Sequence, residues 1–380
     1  MNKRFEALDA FRGLCAISVV IFHMHLVGSI TELGFFRGSS IFVEFFFVLS
    51  GFVLAHGYGF KDNLEFKPFL KSRIFRIFPL HITMLLVMII LEFGKLFAYK
   101  YAGFTFNNPP FTGPGAISEI IPNLLLIQSW TPFTEPLTFN YPSWSISIEF
   151  YMYIFLFFSI VTFKKAKVLS WIITSLIMLY LLTIQSDLLQ SEVLRGLSCF
   201  FGGAFTYTVF RKIGHVKIKT WLGTIIEISL LLFVIYIVDS DFKYRTTIAI
   251  CTFFVVVGFF AFESGLISSL LKRKPFQVVG RLSYSIYMIH AAFLFCLISL
   301  MMILQKVTGL EVAPIIDGKR ALTSGSEILN NGIVIFIIVL VIATAYYTHK
   351  FIEVKGQNLG KMLNSNNTRY MYFKKKAKDS

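Results

Sequence analysis

Apolar runs that are long enough to cross a membrane recur along almost the whole of this 380-residue sequence. "TMLLVMIILEF" and "NGIVIFIIVLVIATAYY" are typical, and 56% of the residues are hydrophobic against 15% that are charged. A spanning helix needs about 20 such residues, and it satisfies its own backbone hydrogen bonds inside the bilayer. The sequence therefore excludes an ordinary soluble domain and predicts an all-α, polytopic bundle of about ten transmembrane spans. The predicted spans begin near Leu8, Ile41, Ile77, Trp144, Val168, Val193, Trp221, Thr246, Phe276 and Asn331.

Basic residues lie in short clusters between the apolar runs. The net charge is +15, and clusters occur at residues 164–165, 211–212, 272–274 and 374–376. Lys and Arg accumulate in cytoplasmic loops, so this pattern favours a lipid bilayer over nucleic acid as the partner. It predicts a multi-pass protein of the cytoplasmic (inner) membrane of a bacterium, with both termini cytoplasmic. The first apolar segment contains Arg12 and lacks a small-residue cleavage site, so we interpret it as a retained span.

Residues 94–141 interrupt the series of spans. The stretch contains "NNPPFTGPG" and "SWTPFTEPLTFNYP", which are rich in turn residues, around the short apolar piece "EIIPNLLLIQSW". We expect an external loop in which residues 119–130 form a re-entrant or interfacial segment, because a crossing there would put the basic "KKAK" outside. The prediction is one membrane domain over residues 1–360 and a basic cytoplasmic tail over residues 361–380.

Ionisable residues share one stripe of the first apolar segment, "DAFRGLCAISVVIFHMH", which covers residues 9–25. Charged groups near the bilayer centre cost about 3 kcal/mol each. At about 100° and 1.5 Å per residue, His23 lies on the same helical face as Arg12 and Asp9, about 16 Å beyond Arg12, whereas His25 points away. A shared stripe favours a functional site. The structural alternative is a snorkelling Arg12 and a His23 that hydrogen-bonds to another helix.

A second polar helix begins with "YPSWSISIEFYMYIF", in which Ser145 and Glu149 are four residues apart on one face. Glu149 lies about 10 Å deep if this helix enters from outside, and His23 lies at a comparable depth in its own helix. A carboxylate that orients an imidazole is a common support for a histidine general base. We therefore predict that Glu149 contacts His23, with a purely structural pair as the alternative.

Arginines gather at the cytoplasmic start of the third span, in "KSRIFRIFPLH". Arg73 and Arg76 are three residues apart and share a helical face. Guanidinium groups form bidentate hydrogen bonds with phosphate oxygens, so the pair is suited to an anionic ligand. An ordinary cytoplasmic basic cluster explains Lys67 and Lys71 equally well, but it explains the arginine pair less well.

Four of these segments resemble the integral-membrane acyltransferase-3 family and follow its order. "LDAFRGLCAISVVIFHMH" is similar to its opening helix, in which an arginine and a histidine are separated by ten residues. "SSIFVEFFFVLSGFVLAHGY" resembles its second helix, "KSRIFRIFPLH" its arginine-x-x-arginine element, and "WSISIEFYMYIF" its tryptophan–serine–x–serine–x–glutamate helix. "LRGLSCFFGGAFTY" and "GRLSYSIYMIHAAF" are weaker matches that contain Arg195 and His290. The sequence departs from the pattern at Glu44, where an aspartate or a neutral residue is expected.

The resemblance implies transfer of an acyl group, acetyl in the first place, from cytoplasmic acyl-CoA to a hydroxyl of a sugar, often in a surface or exported glycan. It implies that Arg12, Arg73 and Arg76 hold the donor phosphates. It also implies that His23, supported by Glu149, is the general base. Acyl-CoA and a sugar or glycan acceptor are therefore the expected small-molecule partners.

Further residues are expected at the substrates. Ser145 is a candidate for stabilising the oxyanion, and Trp144, Tyr287 and His290 are expected to contact substrate. A covalent acyl-enzyme on Ser145 or Tyr287 stays open beside direct attack. No metal is expected, because the four cysteines are isolated and form no CxxC pair.

Two other classes of protein stay open. A secondary transporter also carries charges near the midplane, but it predicts inverted repeats, and no internal repeat is evident in the sequence. A non-catalytic membrane component of glycan export would tolerate the loss of His23. An assay of acyl transfer from labelled acetyl-CoA distinguishes an acyltransferase from both of these classes, which would show no transfer.

Overall fold

A computed structural model describes residues 4–106, 108–316 and 319–363, and nearly all of its regular structure is helical. The helices are α1 (Glu6–His23), α2 (Gly34–Arg37), α3 (Phe42–Tyr58), α4 (Phe66–Tyr101), α5 (Ile120–Leu124), α6 (Ser143–Phe163), α7 (Lys167–Thr183), α8 (Ser191–Ile213), α9 (Thr220–Asp239), α10 (Arg245–Phe260), α11 (Leu266–Leu271), α12 (Lys274–Thr308) and α13 (Glu327–Thr348). Two short strands, β1 (Ile315–Ile316) and β2 (Lys319–Arg320), pair antiparallel. The predicted tail over residues 361–380 lies outside the described residues from 364 onward.

Seven helical stretches of the described chain are long and apolar enough to cross a membrane. They are Ser39–Tyr58, Phe66–Tyr101, Ser143–Thr183, Ser191–Ile213, Thr220–Asp239, Lys274–Thr308 and Glu327–Leu363. The all-α, multi-pass architecture is therefore confirmed, whereas the number of ten spans is not. All ten predicted starts fall within helices, but α10 has only 16 residues, and α1 has 18 with Glu6, Asp9 and Arg12 among them.

One of the seven stretches contains two helices. In a straight helix Ser159 and Trp171 would lie about 18 Å apart. Instead, Trp171 Nε1 donates a hydrogen bond to Ser159 Oγ at 2.8 Å. The reversal falls at Lys164, whose φ of 42° lies in the left-handed region. Helix α7 therefore folds back on α6 after the basic turn.

The segment predicted as an external loop, residues 94–141, begins later than expected. Helix α4 continues to Tyr101, so residues 94–101 are helical and that part of the prediction is wrong. Gly94 stands inside the helix, and the sequence offers no further glycine or proline until Gly103, which adopts φ +62° just after the helix end. Within residues 119–130, α5 has only five residues, far fewer than the 20 or so that a crossing needs.

Glycines allow the central helices to approach one another at backbone distance. A Cβ atom at Gly280 of α12 would lie 2.4 Å from the carbonyl oxygen of Asp9, and one at Gly13 of α1 would lie 2.6 Å from the backbone of α12. Helices α3 and α8 meet in the same way at Gly51 and Gly203. Small residues at such crossings permit close van der Waals packing in a membrane, where burial of apolar surface drives association little. The α1–α12 crossing fixes the position of the ionisable stripe.

Replacement of Gly280 by alanine is expected to destabilise the fold. The added methyl group must displace the backbone of α1, and such overpacking typically costs about 1–3 kcal/mol. The midpoint of thermal unfolding in detergent, followed by size-exclusion chromatography, should fall. Gly332→Ala on α13 is the matched control, because its Cβ would meet no atom within 4 Å and alanine favours a helix. Equal midpoints for the two variants would contradict this account of the crossing.

Helix α4 exposes a continuous apolar face. Leu86, Ile90, Phe93 and Phe97 are 56%, 66%, 58% and 69% exposed, and they recur at the helical spacing of three to four residues. A stripe of this kind in water would be an aggregation site. Its natural environment is the acyl-chain region of a bilayer.

Candidate active site

Helix α1 carries the ionisable stripe on the face that packs against α12. Arg12 Nε donates a hydrogen bond to Ser283 Oγ at 2.9 Å, and Arg12 Nη2 lies 3.9 Å from Asp9 Oδ1. Arg12 therefore points into the bundle rather than along the membrane surface. His23 ends the same helix, eleven residues and about 16 Å further along its axis.

Two cavities lie against this face of α1. The arginine cavity has a volume of about 70 Å³, and its polar lining consists of Arg12, Ser50, Arg76, Ser145, Glu149, Tyr153, Ser283, Tyr284 and Tyr287. The histidine cavity has a volume of about 610 Å³, and its polar and aromatic lining includes His23, Glu92, Lys95, Tyr141, Trp144, Glu192, Arg195 and Tyr287. Val43 and Tyr287 line both cavities, so one layer of side chains separates them.

Glu149 is the carboxylate of the arginine cavity. Its Oε1 accepts a hydrogen bond from Ser50 Oγ at 2.5 Å and another from the hydroxyl of Tyr153, one turn along α6. Both donors fix the carboxylate, and the ionised form is an acceptor only. Arg12 and Arg76 line the same cavity as Glu149, and Arg73 lies one turn from Arg76 on α4.

Of the predicted arginine pair on α4, Arg76 lines the arginine cavity and Arg73 lies outside it. Arg73 Nη2 donates to the Tyr58 hydroxyl at 3.2 Å, and its guanidinium lies 5.4 Å from the centre of the Tyr58 ring. Arg76 lines the arginine cavity and donates no hydrogen bond to any residue that the structure describes. Next to it, the Tyr284 hydroxyl of α12 donates to the carbonyl of Ile77 at 2.8 Å. The guanidinium of Arg76 is therefore held in place through its helix but is available to a ligand.

His23 faces the histidine cavity between two aromatic partners. Its ring centre lies 4.6 Å from that of Tyr141 and 5.2 Å from that of His290, to which it is nearly parallel. Its nitrogens form no hydrogen bond with the described residues, so they can contact a ligand in the cavity. Within the same part of the chain, no three His, Cys, Asp or Glu side chains are grouped so that they could hold a metal ion.

His290 is fully buried on α12 behind His23. Its Nδ1 lies 2.6 Å from the carbonyl oxygen of Tyr287, and a carbonyl only accepts, so Nδ1 carries the proton. Its Nε2 is then an acceptor, and among the described residues it has no partner. The two histidines thus present ring nitrogens with no protein hydrogen bond at one end of the α1 stripe.

The segment before α6 covers this histidine pair. Asn140 Nδ2 donates to the carbonyl of Met288 at 3.0 Å, which ties the segment to α12. Tyr141 is thereby held against both histidine rings. Burial raises the pKa of Tyr141, so its phenol stays protonated near neutral pH and can donate a hydrogen bond.

A pair of hydroxyl groups forms the wall between the two cavities. Ser145 Oγ and the Tyr287 hydroxyl are 2.9 Å apart. Trp144, the neighbour of Ser145, faces the histidine cavity, where the guanidinium of Arg195 lies 5.3 Å from its ring centre. The tryptophan–serine–x–serine–x–glutamate segment therefore contributes side chains to both cavities.

The predicted contact between His23 and Glu149 is absent, since no hydrogen bond joins them and they line different cavities. Their depths along the two helices are compatible with contact, but depth does not fix the direction in which each side chain points. Glu149 faces Ser50 of α3 instead. His23 faces α12 and the segment before α6.

Sequence reasoning also missed the partners of some polar groups. Glu44 of α3 and Arg195 of α8 form a buried ion pair, with the carboxylate oxygen Oε1 2.6 Å from Arg195 Nη2. An unpaired ionisable residue inside an apolar segment is energetically costly. The presence of Glu44 and Arg195 in two apolar segments therefore indicates that they form an ion pair. Tyr141 lies in the loop whose aromatic residues could stack on sugars, and Ser50 lies in the segment that resembles the second helix of the family, but nothing in the sequence distinguished either residue from its neighbours.

A multi-pass helical membrane protein with ionisable side chains at two interior cavities is the class that this fold and site define. The model of the acyltransferase-3 family, described as an acyltransferase domain, matches residues 5–350. The chain therefore belongs to the acyltransferase-3 family.

Three curated relatives show more limited similarity. Acyltransferase MdmB of Streptomyces mycarofaciens is 35% identical over 167 residues, which are 40% of this chain and 38% of that protein. Protein 2 in the picA locus of Rhizobium radiobacter is 39% identical over 23% of this chain and 44% of its own length. The putative acetyltransferase ORF330 of Acidianus two-tailed virus is 24% identical over 76% of this chain and 84% of its own. The chain thus spans less than half the length of the first two relatives, and no solved structure matches it.

Proposed function

We propose that the protein is a membrane O-acyltransferase that moves an acyl group from cytoplasmic acyl-CoA, acetyl-CoA in the first place, to a hydroxyl of a sugar in a surface or exported glycan. One observation carries this proposal: Arg12 and His23 share a face of α1, yet they line two separate cavities. Substrates that approach from opposite sides of a membrane require such a separation. Membership of the family and the names of two relatives support acyl transfer as the reaction.

The arginine cavity is the proposed contact site for the donor phosphates, and its volume of about 70 Å³ leaves the rest of the coenzyme outside it. Arg12 and Arg76 line it, and Arg73 lies one turn from Arg76 on the same helix. Three guanidinium groups suit the phosphates of a coenzyme A thioester, because each can form bidentate, charge-assisted hydrogen bonds. We assign to Glu149 the role of ordering the arginines of this cavity, since it shares the cavity with Arg12 and Arg76 and not with His23.

The histidine cavity is the proposed site for the acceptor. Its lining combines aromatic rings, such as Tyr141 and Trp144, with charged groups, such as Glu192 and Arg195. Aromatic faces pack against the apolar faces of sugar rings, and charged and polar groups hydrogen-bond to hydroxyls. A volume of about 610 Å³ accommodates a small sugar unit.

The steps of the proposed reaction are assigned to these groups. An acceptor hydroxyl gives its proton to a ring nitrogen of His23 while its oxygen attacks the thioester carbonyl carbon. The tetrahedral intermediate then expels the coenzyme A thiolate, which takes up the proton held by His23, and the acyl ester and the neutral imidazole form. The hydroxyls of Ser145 and Tyr287, in the wall between the cavities, can donate hydrogen bonds to the oxyanion. If an acyl group is found covalently attached to Ser145 or Tyr287, the reaction proceeds through an acyl-enzyme intermediate and not by direct attack.

The membrane orientation belongs to the same proposal. The turn after α6 and the start of α12 carry clusters of basic residues, and such clusters are retained on the cytoplasmic side. With both termini cytoplasmic in the inner membrane of a bacterium, the Arg12 end of α1 faces the donor and the His23 end faces outward. The lipid-facing apolar surface of α4 supports insertion in a bilayer.

Vesicles that contain the full-length protein should transfer label from acetyl-CoA to a glycan acceptor. The expected product is an alkali-labile acetyl ester, detected by mass spectrometry of the acceptor, and vesicles without the protein should form none. If the protein is instead a secondary transporter or a non-catalytic export component, vesicles that contain it will also form no ester. Absence of ester on every glycan offered would therefore overturn the proposed reaction.

A further inference from the structure

A buried ion pair lies where the histidine cavity meets a third, larger cavity. This loop cavity has a volume of about 1180 Å³ and lies between residues 182–191, residues 241–247 and the start of α3. Arg195 lines both the histidine cavity and the loop cavity, and Glu44 lines the loop cavity. The proposed function counts Arg195 among the lining of the acceptor site, but it uses neither Glu44 nor the loop cavity.

The carboxylate of Glu44 is only partly satisfied by its partner. Its Oε1 accepts a hydrogen bond from Arg195 Nε at 2.6 Å and lies 2.6 Å from Arg195 Nη2 in the ion pair. Its Oε2 has no hydrogen-bond partner among the described residues, although the side chain is only 1% exposed. A buried acceptor without a donor is costly to maintain, so a ligand that supplies the donor would be favoured at this position.

A second acceptor in the same cavity has the same need. Gln190 Nε2 donates to the carbonyl of Thr131 at 2.9 Å, which assigns the other end of the amide as Oε1. This Oε1 has no partner within the described part of the chain, and Gln190 also lines the loop cavity. Two oxygens that lack donors point to a ligand with several hydroxyl groups.

The charges of the loop cavity favour an uncharged ligand. Its acidic lining residues are Glu44, Asp187 and Asp241, and its basic ones are Arg195, Lys243 and Arg245. Acidic and basic residues are equal in number in this lining, so the cavity has no net electrostatic attraction for an anion or a cation. Arg245 also donates hydrogen bonds to the carbonyls of Ile237 and Val238, which occupies part of its donor capacity.

We propose that the Glu44–Arg195 pair recognises a vicinal diol of the acceptor, and that the loop cavity holds the neutral sugar units next to the one that is acylated. One hydroxyl donates to Glu44 Oε2, and its neighbour accepts from the guanidinium of Arg195. The ring of Trp144, beside Arg195, lines the histidine cavity and supports the sugar unit that is acylated. This inference rests on the proposed function, and it makes Glu44 a residue that determines acceptor specificity without taking part in the chemistry.

The test compares Glu44→Gln with wild type in vesicles, using labelled acetyl-CoA and a set of neutral acceptors: maltotriose, cellotriose, triacetylchitotriose and the methyl glycosides of their sugars. The amide keeps the volume but removes the carboxylate that accepts from both ligand and Arg195. The KM for the preferred trisaccharide should rise at least 10-fold, towards that of its methyl glycoside, while kcat and the KM for acetyl-CoA change less than 3-fold. Glu32→Gln, the same change at an exposed residue that lines none of the three cavities, should match wild type.

The thermal unfolding midpoint shows whether Glu44→Gln still folds. If it does not, a second variant tests the same site. Gln190→Leu leaves the ion pair intact and should raise the trisaccharide KM several-fold with an unchanged midpoint. If the wild type acylates a trisaccharide but neither variant changes its KM, the recognition site is wrong and the acyltransferase proposal stands. If the wild type forms no ester on any acceptor of the set or on a total glycan extract, both proposals fall together.

Discussion

Replacement of His23 by alanine is expected to lower kcat for acyl transfer by roughly 100- to 10,000-fold, the range that general-base catalysis contributes. The imidazole nitrogens face the histidine cavity and form no hydrogen bond with the described residues, so proton transfer is the role that the variant removes. The KM for acyl-CoA should stay within about 3-fold of wild type, because the donor site is about 16 Å away along α1. Initial rates with labelled acetyl-CoA in vesicles measure both constants.

His25→Ala is the matched control for this variant. His25 lies two residues further on, contacts Arg37 at 2.8 Å through its Nδ1 and lines neither the histidine nor the arginine cavity. It should keep most of the wild-type kcat. Full transfer by His23→Ala, or an equal loss in both variants, would exclude His23 as the base.

Replacement of Arg76 by glutamine is expected to raise the KM for acyl-CoA by roughly 10- to 100-fold. A hydrogen bond to a charged group contributes about 1.5–3 kcal/mol, and about 1.4 kcal/mol corresponds to a factor of ten. Arg76 lines the arginine cavity and makes no hydrogen bond within the described residues, so its charge is available to the donor phosphates. Donor concentration series under saturating acceptor measure the change.

A donor without phosphates distinguishes loss of binding from loss of folding. S-acetyl-N-acetylcysteamine keeps the thioester and lacks the nucleotide, so wild type and Arg76→Gln should use it equally well. Lys67→Gln is the control, because Lys67 is an exposed cation on the same helix outside the arginine cavity. If Arg76→Gln is equally impaired with both donors, or unimpaired with acyl-CoA, the phosphate assignment is wrong.

Helical periodicity predicted the relation between Arg12 and His23 because both residues belong to one helix. Within α1 the spacing of eleven residues fixes both the rotation and the rise, and no other part of the chain can change them. The same reasoning held within α6, where Ser145 and Glu149 both line the arginine cavity. Helical geometry therefore predicts correctly which site residues share a face when those residues belong to the same helix.

The relation between residues on different helices required the tertiary structure. Comparable depth suggested a contact between His23 and Glu149, but the rotation of each helix about its axis decides which neighbour a side chain meets. Glu149 meets Ser50, and His23 meets His290. The count of ten spans is not confirmed for a related reason, since a bundle interior can hold shorter or more polar helices, such as α10 and α1, than a lone span in lipid.

The sequence by itself determined that the chain is an all-helical, multi-pass membrane protein, and it identified the helix on which two of the proposed functional groups stand. Hydrophobic length and helical period are properties of single segments, so they can be read without knowledge of the fold. Only the tertiary structure decided that Arg12 and His23 face separate cavities and that Tyr287 and Ser145 divide them. The reason is that the crossing of α1 and α12 depends on the close approach of Gly13 and Gly280, a contact between segments more than 260 residues apart in the sequence.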